Sequence, residues 1–212
     1  GGRVSLEAVS PQGRLGLDFD RVLSATGRRP SSSGIGLDGL GVATEPVGAV
    51  LTDARLRSSA PGLFAAGDVT GAMPHTHVAA YHAQIATVNA LFRTRRKVDY
   101  RAVPLVTFTD PEVAAVGMSE AEARARWGSK ARVARHDHGD LDRAITAGRT
   151  TGFAKLVGDK RGRLVGATIV GESAGESIAE MAVRISNRQK IDSISSDVHA
   201  YPTFTEGAAR AA

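Results

Sequence analysis

The stretch Leu63-Phe64-Ala65-Ala66-Gly67-Asp68-Val69 constrains this chain more than any other. Its small apolar residues read as a short buried strand that delivers a glycine and then a carboxylate to its C-terminal end. Glycine permits close backbone approach by a ligand, and an aspartate at a strand end accepts hydrogen bonds from ligand hydroxyls. After Pro74, apolar positions at Val78, Ala79, Ile85, Ala86, Val88, Leu91 and Phe92 predict a helix over 75–92. The N-terminus of such a helix offers unpaired N–H groups and a positive dipole end. A carboxylate beside a helix start suits a sugar-like chain joined to an electron-accepting ring. The plainer alternative is that Asp68 caps the following helix or turn.

Around this stretch the chain reads in two parts, 1–98 and 99–212. Val4, Leu6 and Ala8, then Leu15 and Leu17, alternate on either side of Ser10-Pro11-Gln12-Gly13, which predicts a β-hairpin. Short strands are predicted at 19–25, 50–53 and 63–66, with a Ser- and Gly-rich loop over 31–48. Composition shifts near residue 99. Strands are predicted at 103–108, 131–138, 151–157 and 163–170. Ser119 and Glu122 predict a capping box at the start of a helix. Ile178, Met181, Ala182 and Ile185 predict a second helix over 172–187, Ile191 and Ile194 a further short one, and the Ala-rich end another helix start. The fold class expected is therefore an α/β remnant followed by an α+β domain, an antiparallel sheet flanked by helices.

Composition narrows the chemistry. The chain has no cysteine, which excludes a disulfide framework, a thiolate metal site or a cysteine nucleophile within it. Its net charge of +5 comes largely from scattered arginines. The densest run, Arg93-Thr94-Arg95-Arg96-Lys97, reads as a solvated helix end, where cations suit the C-terminal dipole, and not as a nucleic-acid site. No stretch approaches the roughly 18–20 apolar residues that span a bilayer, and no signal peptide opens the chain, so a cytoplasmic location without a membrane partner is expected. The first residue is Gly and the opening reads as mid-domain strand, so a fragment or processed piece is expected. His75, His77 and His82 lack the spacing of a metal site, and His136-Asp137-His138 reads as a solvated strand-to-loop region. Gly34-Ile35-Gly36 neither follows a strand nor opens a helix and is not a dinucleotide fingerprint.

Several motifs in one order resemble the pyridine nucleotide–disulfide oxidoreductases, and Tyr201 with Glu206-Gly207 resembles the ending of mercuric reductases and their relatives. Asp20–Pro30 resembles the segment that leads from their NAD domain back to their FAD domain. Pro61–Thr70 resembles their second FAD motif, Thr107–Gly117 the opening of their dimerisation domain, and Thr151–Val157 with Gly166–Gly171 its central strands. The resemblance covers essentially the whole chain and implies C-terminal parts of the FAD/NAD region over 1–98 and a dimerisation domain over 99–212. It implies FAD as cofactor, NAD(P)H as electron donor, a redox cysteine pair and further Gly-rich loops outside this chain, and a homodimer. Gly27, Gly67, Asp68 and His77 would lie at the cofactor. Thiol-handling members carry His-Pro-Thr followed by Glu; here the stretch is Tyr201-Pro202-Thr203-Phe204-Thr205-Glu206, so Tyr201 and Glu206 stand at the catalytic positions. A phenol with an ordinary pKa of about 10 is a poor base at neutral pH. Tyr201 would serve as a hydrogen-bond or proton donor toward a metal ion, quinone or disulfide acceptor, or else be an interface aromatic. The alternatives are a dihydrolipoamide dehydrogenase-like parent and a module that only dimerises. His199, two residues earlier and about 6–7 Å away on an extended chain, is either a substitute base or a surface loop residue. Ile169, Met181 and Ile185 are expected in the apolar core of the dimer interface.

Overall fold

The computed structural model describes residues 3–212 and divides into two compact units, one ending at Lys97 and one running from Val98 to Ala212. In the first, β1 (Val4–Ser10) and β2 (Gly13–Phe19) form the expected hairpin, with Leu6 opposite Leu17 and Ala8 opposite Leu15. Every residue of both strands is exposed. The strand expected at 19–25 does not continue past Phe19: residues 21–25 pair with no strand among the described residues, and Leu23 is 91% exposed. The strands expected at 50–53 and 63–66 shrink to single bridges, Thr44 with Val50 and Arg57 with Phe64. The physical reason is shared. A strand exists only against a neighbour, and among the described residues these segments find at most one bridged partner each. What does pack is a small core of Val42, Val50 and Ala65, joined by Leu37, Ala60, Leu63 and Val69. Helix α1 (Thr76–Phe92) buries Val78, His82, Ile85, Ala86 and Asn89, and Asn89 ties down the exit loop by accepting from Thr94 and Arg96.

The second unit is a five-stranded antiparallel sheet in the order β3-β4-β7-β6-β5, where β3 is Pro104–Thr107, β4 Glu112–Gly117, β5 Arg132–Asp137, β6 Phe153–Gly158 and β7 Leu164–Gly171. Central β7 turns Leu164, Ala167 and Ile169 inward and leaves Val165, Thr168 and Val170 partly exposed. Helix α4 (Ala174–Ser186) lies against β3, β4 and β7, while α6 (Glu206–Ala211) lies against β5 and β6. Between the sheet and these helices, joined by α5 (Asp192–Ser196), sits one continuous core that includes Leu156, Leu164, Ile178, Met181 and Ile194. Helix α2 (Glu120–Trp127) starts with the expected capping box: Glu122 N–H donates to the Ser119 hydroxyl, and Ser119 N–H donates to the Glu122 carboxylate. Strand β4 and helix α3 (Asp142–Ala147) were not among the sequence expectations.

One expectation is overturned here. Ile169, Met181 and Ile185 are 2%, 0% and 4% exposed within a single chain. They belong to its own core and have no surface left to give a partner.

Candidate functional site

The first cluster is built on the turn Gly67–Thr70, a single turn of 3-10 helix. Gly67 has φ 76°, a left-handed conformation that favours glycine. A β-carbon there would stand 2.8 Å from the Ala79 β-carbon, so α1 can pack this closely only on a glycine. The Thr70 hydroxyl donates to the Gly67 carbonyl at 2.8 Å, and the Gly67 N–H donates to His82 Nδ1 at 3.1 Å. Asp68 follows with its carboxylate half-exposed, and the Arg28 guanidinium stands 3.8 Å from it. That contact brings the segment containing Gly27 to the same place. Gly27 has φ 115° and open space where a β-carbon would point. Helix α1 begins nearby with His75 as N-cap, whose side chain makes no capping bond. His77 lies in this first turn, with its ring stacked on that of His75 at 5.4 Å between centroids.

The plainer reading of Asp68, a simple cap, does not describe what is seen. Its backbone carbonyl accepts from Gly71 N–H to close the turn, while the carboxylate makes no capping bond to α1. A hydroxyl-bearing ligand would find an acceptor in Asp68, backbone amides at the helix start, and a glycine that leaves room.

The second cluster surrounds Tyr201, in the loop before α6. Tyr201 is 68% exposed. Its hydroxyl donates to Asp142 Oδ2 at 2.7 Å, and the carboxylate beside it raises the phenol's pKa further above 10. The phenol is therefore neutral, its proton already engaged, and it presents lone pairs outward. In this arrangement Asp142 engages the phenol proton that the sequence reading assigns to an incoming acceptor. Asp142 lies 59 residues away in sequence, and no motif signalled it. Glu206 accepts from Thr203 N–H at 3.0 Å and so braces the loop from within, with Arg210 at 4.0 Å.

His199 also finds partners. Its Nε2 lies 3.2 Å from Glu180 and its Nδ1 3.1 Å from the Asp197 carbonyl. With both ring nitrogens facing acceptors, it has none to offer a substrate. The network continues inward through the buried Arg184, which bonds Glu180 and Asp197. His199 is thus neither a substitute base nor an idle surface residue; it ties the loop to α4.

His138 departs most from its sequence reading. The side chain expected to be solvated at this strand-to-loop passage is instead a fully buried imidazole, 0% exposed, with neither nitrogen hydrogen-bonded. Burial lowers its pKa, as does neighbouring His136, while Asp137 pulls it upward. The ring is walled by Gly152, Gly171, Gly207 and Phe204, so it supports the Tyr201–Glu206 loop from below. Among the described residues, no group of three or more His, Asp or Glu side chains is placed to hold a metal ion, and no helix is long and apolar enough to cross a membrane.

Comparison with known proteins defines the class. Residues 103–212 match the pyridine nucleotide-disulphide oxidoreductase dimerisation domain, and residues 2–83 match the pyridine nucleotide-disulphide oxidoreductase domain. The chain belongs to that family. Dihydrolipoyl dehydrogenase 3 of Haloarcula marismortui is 37% identical over 92% of this chain and 41% of its own length. Dihydrolipoyl dehydrogenase of Bacillus subtilis is 35% identical over 90% of this chain and 40% of its own. The chain thus spans about two fifths of these relatives. Among solved structures, LpdA of Mycobacterium tuberculosis superposes with a TM-score of 0.88 at 28% identity, covering 97% of this chain and 44% of that one. The flavoprotein disulfide reductase RclA of Escherichia coli, as its Cu(II) complex, superposes with a TM-score of 0.87 at 25% identity, covering 98% and 47%. The two sequence relatives are named dihydrolipoyl dehydrogenases and RclA a disulfide reductase, so the comparisons support the family and not the narrower likeness to mercuric reductases, which rests on Tyr201 with Glu206-Gly207.

Proposed function

We propose that the whole protein is a homodimeric, FAD-dependent NAD(P)H oxidoreductase, in which this chain supplies one wall of the flavin site and the loop that meets the electron acceptor. The observation that carries the reading is the Gly67–Asp68 turn, packed on α1 with an exposed carboxylate beside an uncapped helix start. The residues fit the cofactor. Asp68 would accept from its ribityl hydroxyls, the first amides of α1 and His77 would face the flavin ring, and Gly27 would leave room for the backbone to approach. Bound there, FAD supplies hydride acceptance from NAD(P)H and onward transfer through a cysteine pair outside this chain. The helix start would stabilise negative charge at its end of the site.

The relatives favour a dithiol or disulfide as acceptor, as in dihydrolipoyl dehydrogenases. Tyr201 then serves by its lone pairs. It takes a hydrogen bond, or a proton, from a substrate thiol while its own proton moves toward Asp142. A second reading, a metal ion or quinone as acceptor, is favoured by the phenol at a position where thiol-handling members carry histidine, and by the Cu(II) complex of RclA. The loop would reach the flavin and cysteines of the other subunit, reciprocally across a twofold axis.

Stopped-flow of the two half-reactions in the full-length enzyme tests this. Tyr201→Phe should slow the acceptor half-reaction by about 10²-fold and leave flavin reduction by NAD(P)H unchanged. Lipoamide, quinone and Cu(II) tried in turn identify the acceptor as the one that shows the loss. No loss with any of them makes Tyr201 a packing residue and removes this role for the loop.

A further inference from the structure

Helix α1 has a histidine where its packing calls for an apolar residue. Its buried positions 78, 82, 85, 86 and 89 form one stripe, and His82 is 0% exposed in the middle of it. A buried polar ring is costly unless its nitrogens are used. Here Nδ1 is used: it accepts the Gly67 N–H at 3.1 Å, across fifteen residues of sequence. An Nδ1 that accepts carries no proton, which fixes the ring as neutral and the remaining proton on Nε2. Burial acts in the same direction and lowers its pKa.

The partner amide lies at the centre of the candidate cofactor turn. Gly67 is itself buried, and its two backbone groups are both held by side chains, the N–H by His82 and the carbonyl by Thr70. Ala79, one helical turn before His82, closes the third side by contact. Asp68 is the next residue, so the clamp fixes the backbone from which its carboxylate projects, beside Arg28 at 3.8 Å.

We propose that His82 is the positioning residue of the cofactor turn: its Nδ1 anchors the Gly67 amide and thereby aims Asp68, so that flavin affinity depends on a hydrogen-bond acceptor at this point and not on the ring's bulk. The inference rests on the reading of Gly67–Asp68 as part of an FAD site.

The test uses the full-length protein stripped of flavin. FAD is titrated back by fluorescence quenching, and exchange of the Gly67 amide is followed by hydrogen–deuterium exchange before any FAD is added. His82→Leu keeps an apolar filling and removes the acceptor; it should weaken FAD by about 10-fold and speed Gly67 exchange. His82→Asn places an amide oxygen near the Nδ1 position and should restore both. A purely structural role would give the opposite order, with Leu tolerated and Asn harmful. His82→Gln, whose oxygen reaches further out, should bind less well than Asn, and this comparison stands if the Leu variant does not fold. Wild-type affinity and wild-type exchange in His82→Leu overturn the inference and leave the functional reading intact. A wild-type protein that takes up no FAD overturns the functional reading and its consequence for affinity, while slow Gly67 exchange restored by Asn would still uphold the anchor.

Discussion

The two units handle their apolar residues in opposite ways. The second gathers Leu156, Leu164, Ile178, Met181 and Ile194 into one core beneath a five-stranded sheet. The first spends Val4, Leu6, Leu15, Leu17 and Phe19 on a hairpin exposed along its whole length, gathers Val42, Val50 and Ala65 into a small core, and buries Leu56, Val78 and Ile85 besides. The alternating pattern is as clear in the hairpin as in β7. Pattern specifies a strand; burial requires something for the strand to lie against. An isolated two-stranded hairpin is marginal in water, so the second unit holds its shape from its own sequence while the hairpin draws little from burial within this chain.

The sharpest way to break this contrast is to cut equal side chains from both units. Met181→Ala should destabilise the second unit by about 2–5 kcal/mol, read by urea denaturation with Trp127 as reporter, since it is the only tryptophan in the chain. Equal sensitivity of the two units to such cuts would refute the contrast.

Next comes acid. His138 in one unit and His82 in the other both have folded pKa values lowered below 6.5 by burial. The unfolded chain therefore binds these protons more tightly, and stability rises with pH in this range. The contribution is fully present above about pH 6.5 and is lost as pH falls through the folded values. His138→Leu should flatten the acid limb of the Trp127 transition, because an imidazole with two unpartnered nitrogens gives up nothing to an apolar replacement. An unchanged limb would show that another group governs it.

A smaller effect is expected at Ser119. Removing its hydroxyl takes away half of the capping box, and Ser119→Ala should cost about 1 kcal/mol, measured in the same denaturation. Smallest of all is Leu17→Ala in the hairpin. It should stay within about 0.5 kcal/mol in this chain and cost more wherever further structure covers that face.

These differences also explain what could be read from sequence. The capping box at Ser119 and Glu122 and the stripe Ile178, Met181, Ile185 were legible because both depend on residues three or four apart on one helix. The segments 19–25 and 63–66 carry real strand composition, but pairing is decided by partners that composition does not name. Strand β4 was hidden because Glu112-Val113-Ala114-Ala115-Val116-Gly117 alternates weakly. At the site, Gly67, Asp68 and Tyr201 stood out through motifs, whereas Asp142, His82 and His138 act through contacts between distant segments. For His138 the signal misled: a polar trio implied water, and the glycines that wall in its ring lie up to 69 residues away.

That wall also couples distant positions in inheritance. Gly171 and Gly207 sit in different elements, 36 residues apart, yet an alanine at either would meet the same imidazole, at 2.7 Å from Nδ1 in one case and 3.0 Å from Nε2 in the other. Their tolerance to change is therefore set by what occupies position 138, and the three sites are epistatic. A lineage that shrank the ring would open position 207 to alanine, while position 171, whose φ of 149° already disfavours a side chain, would gain less. Changes that look independent along the chain would in this way be ordered in time, the histidine having to yield before the glycine that follows the Tyr201–Glu206 loop could vary.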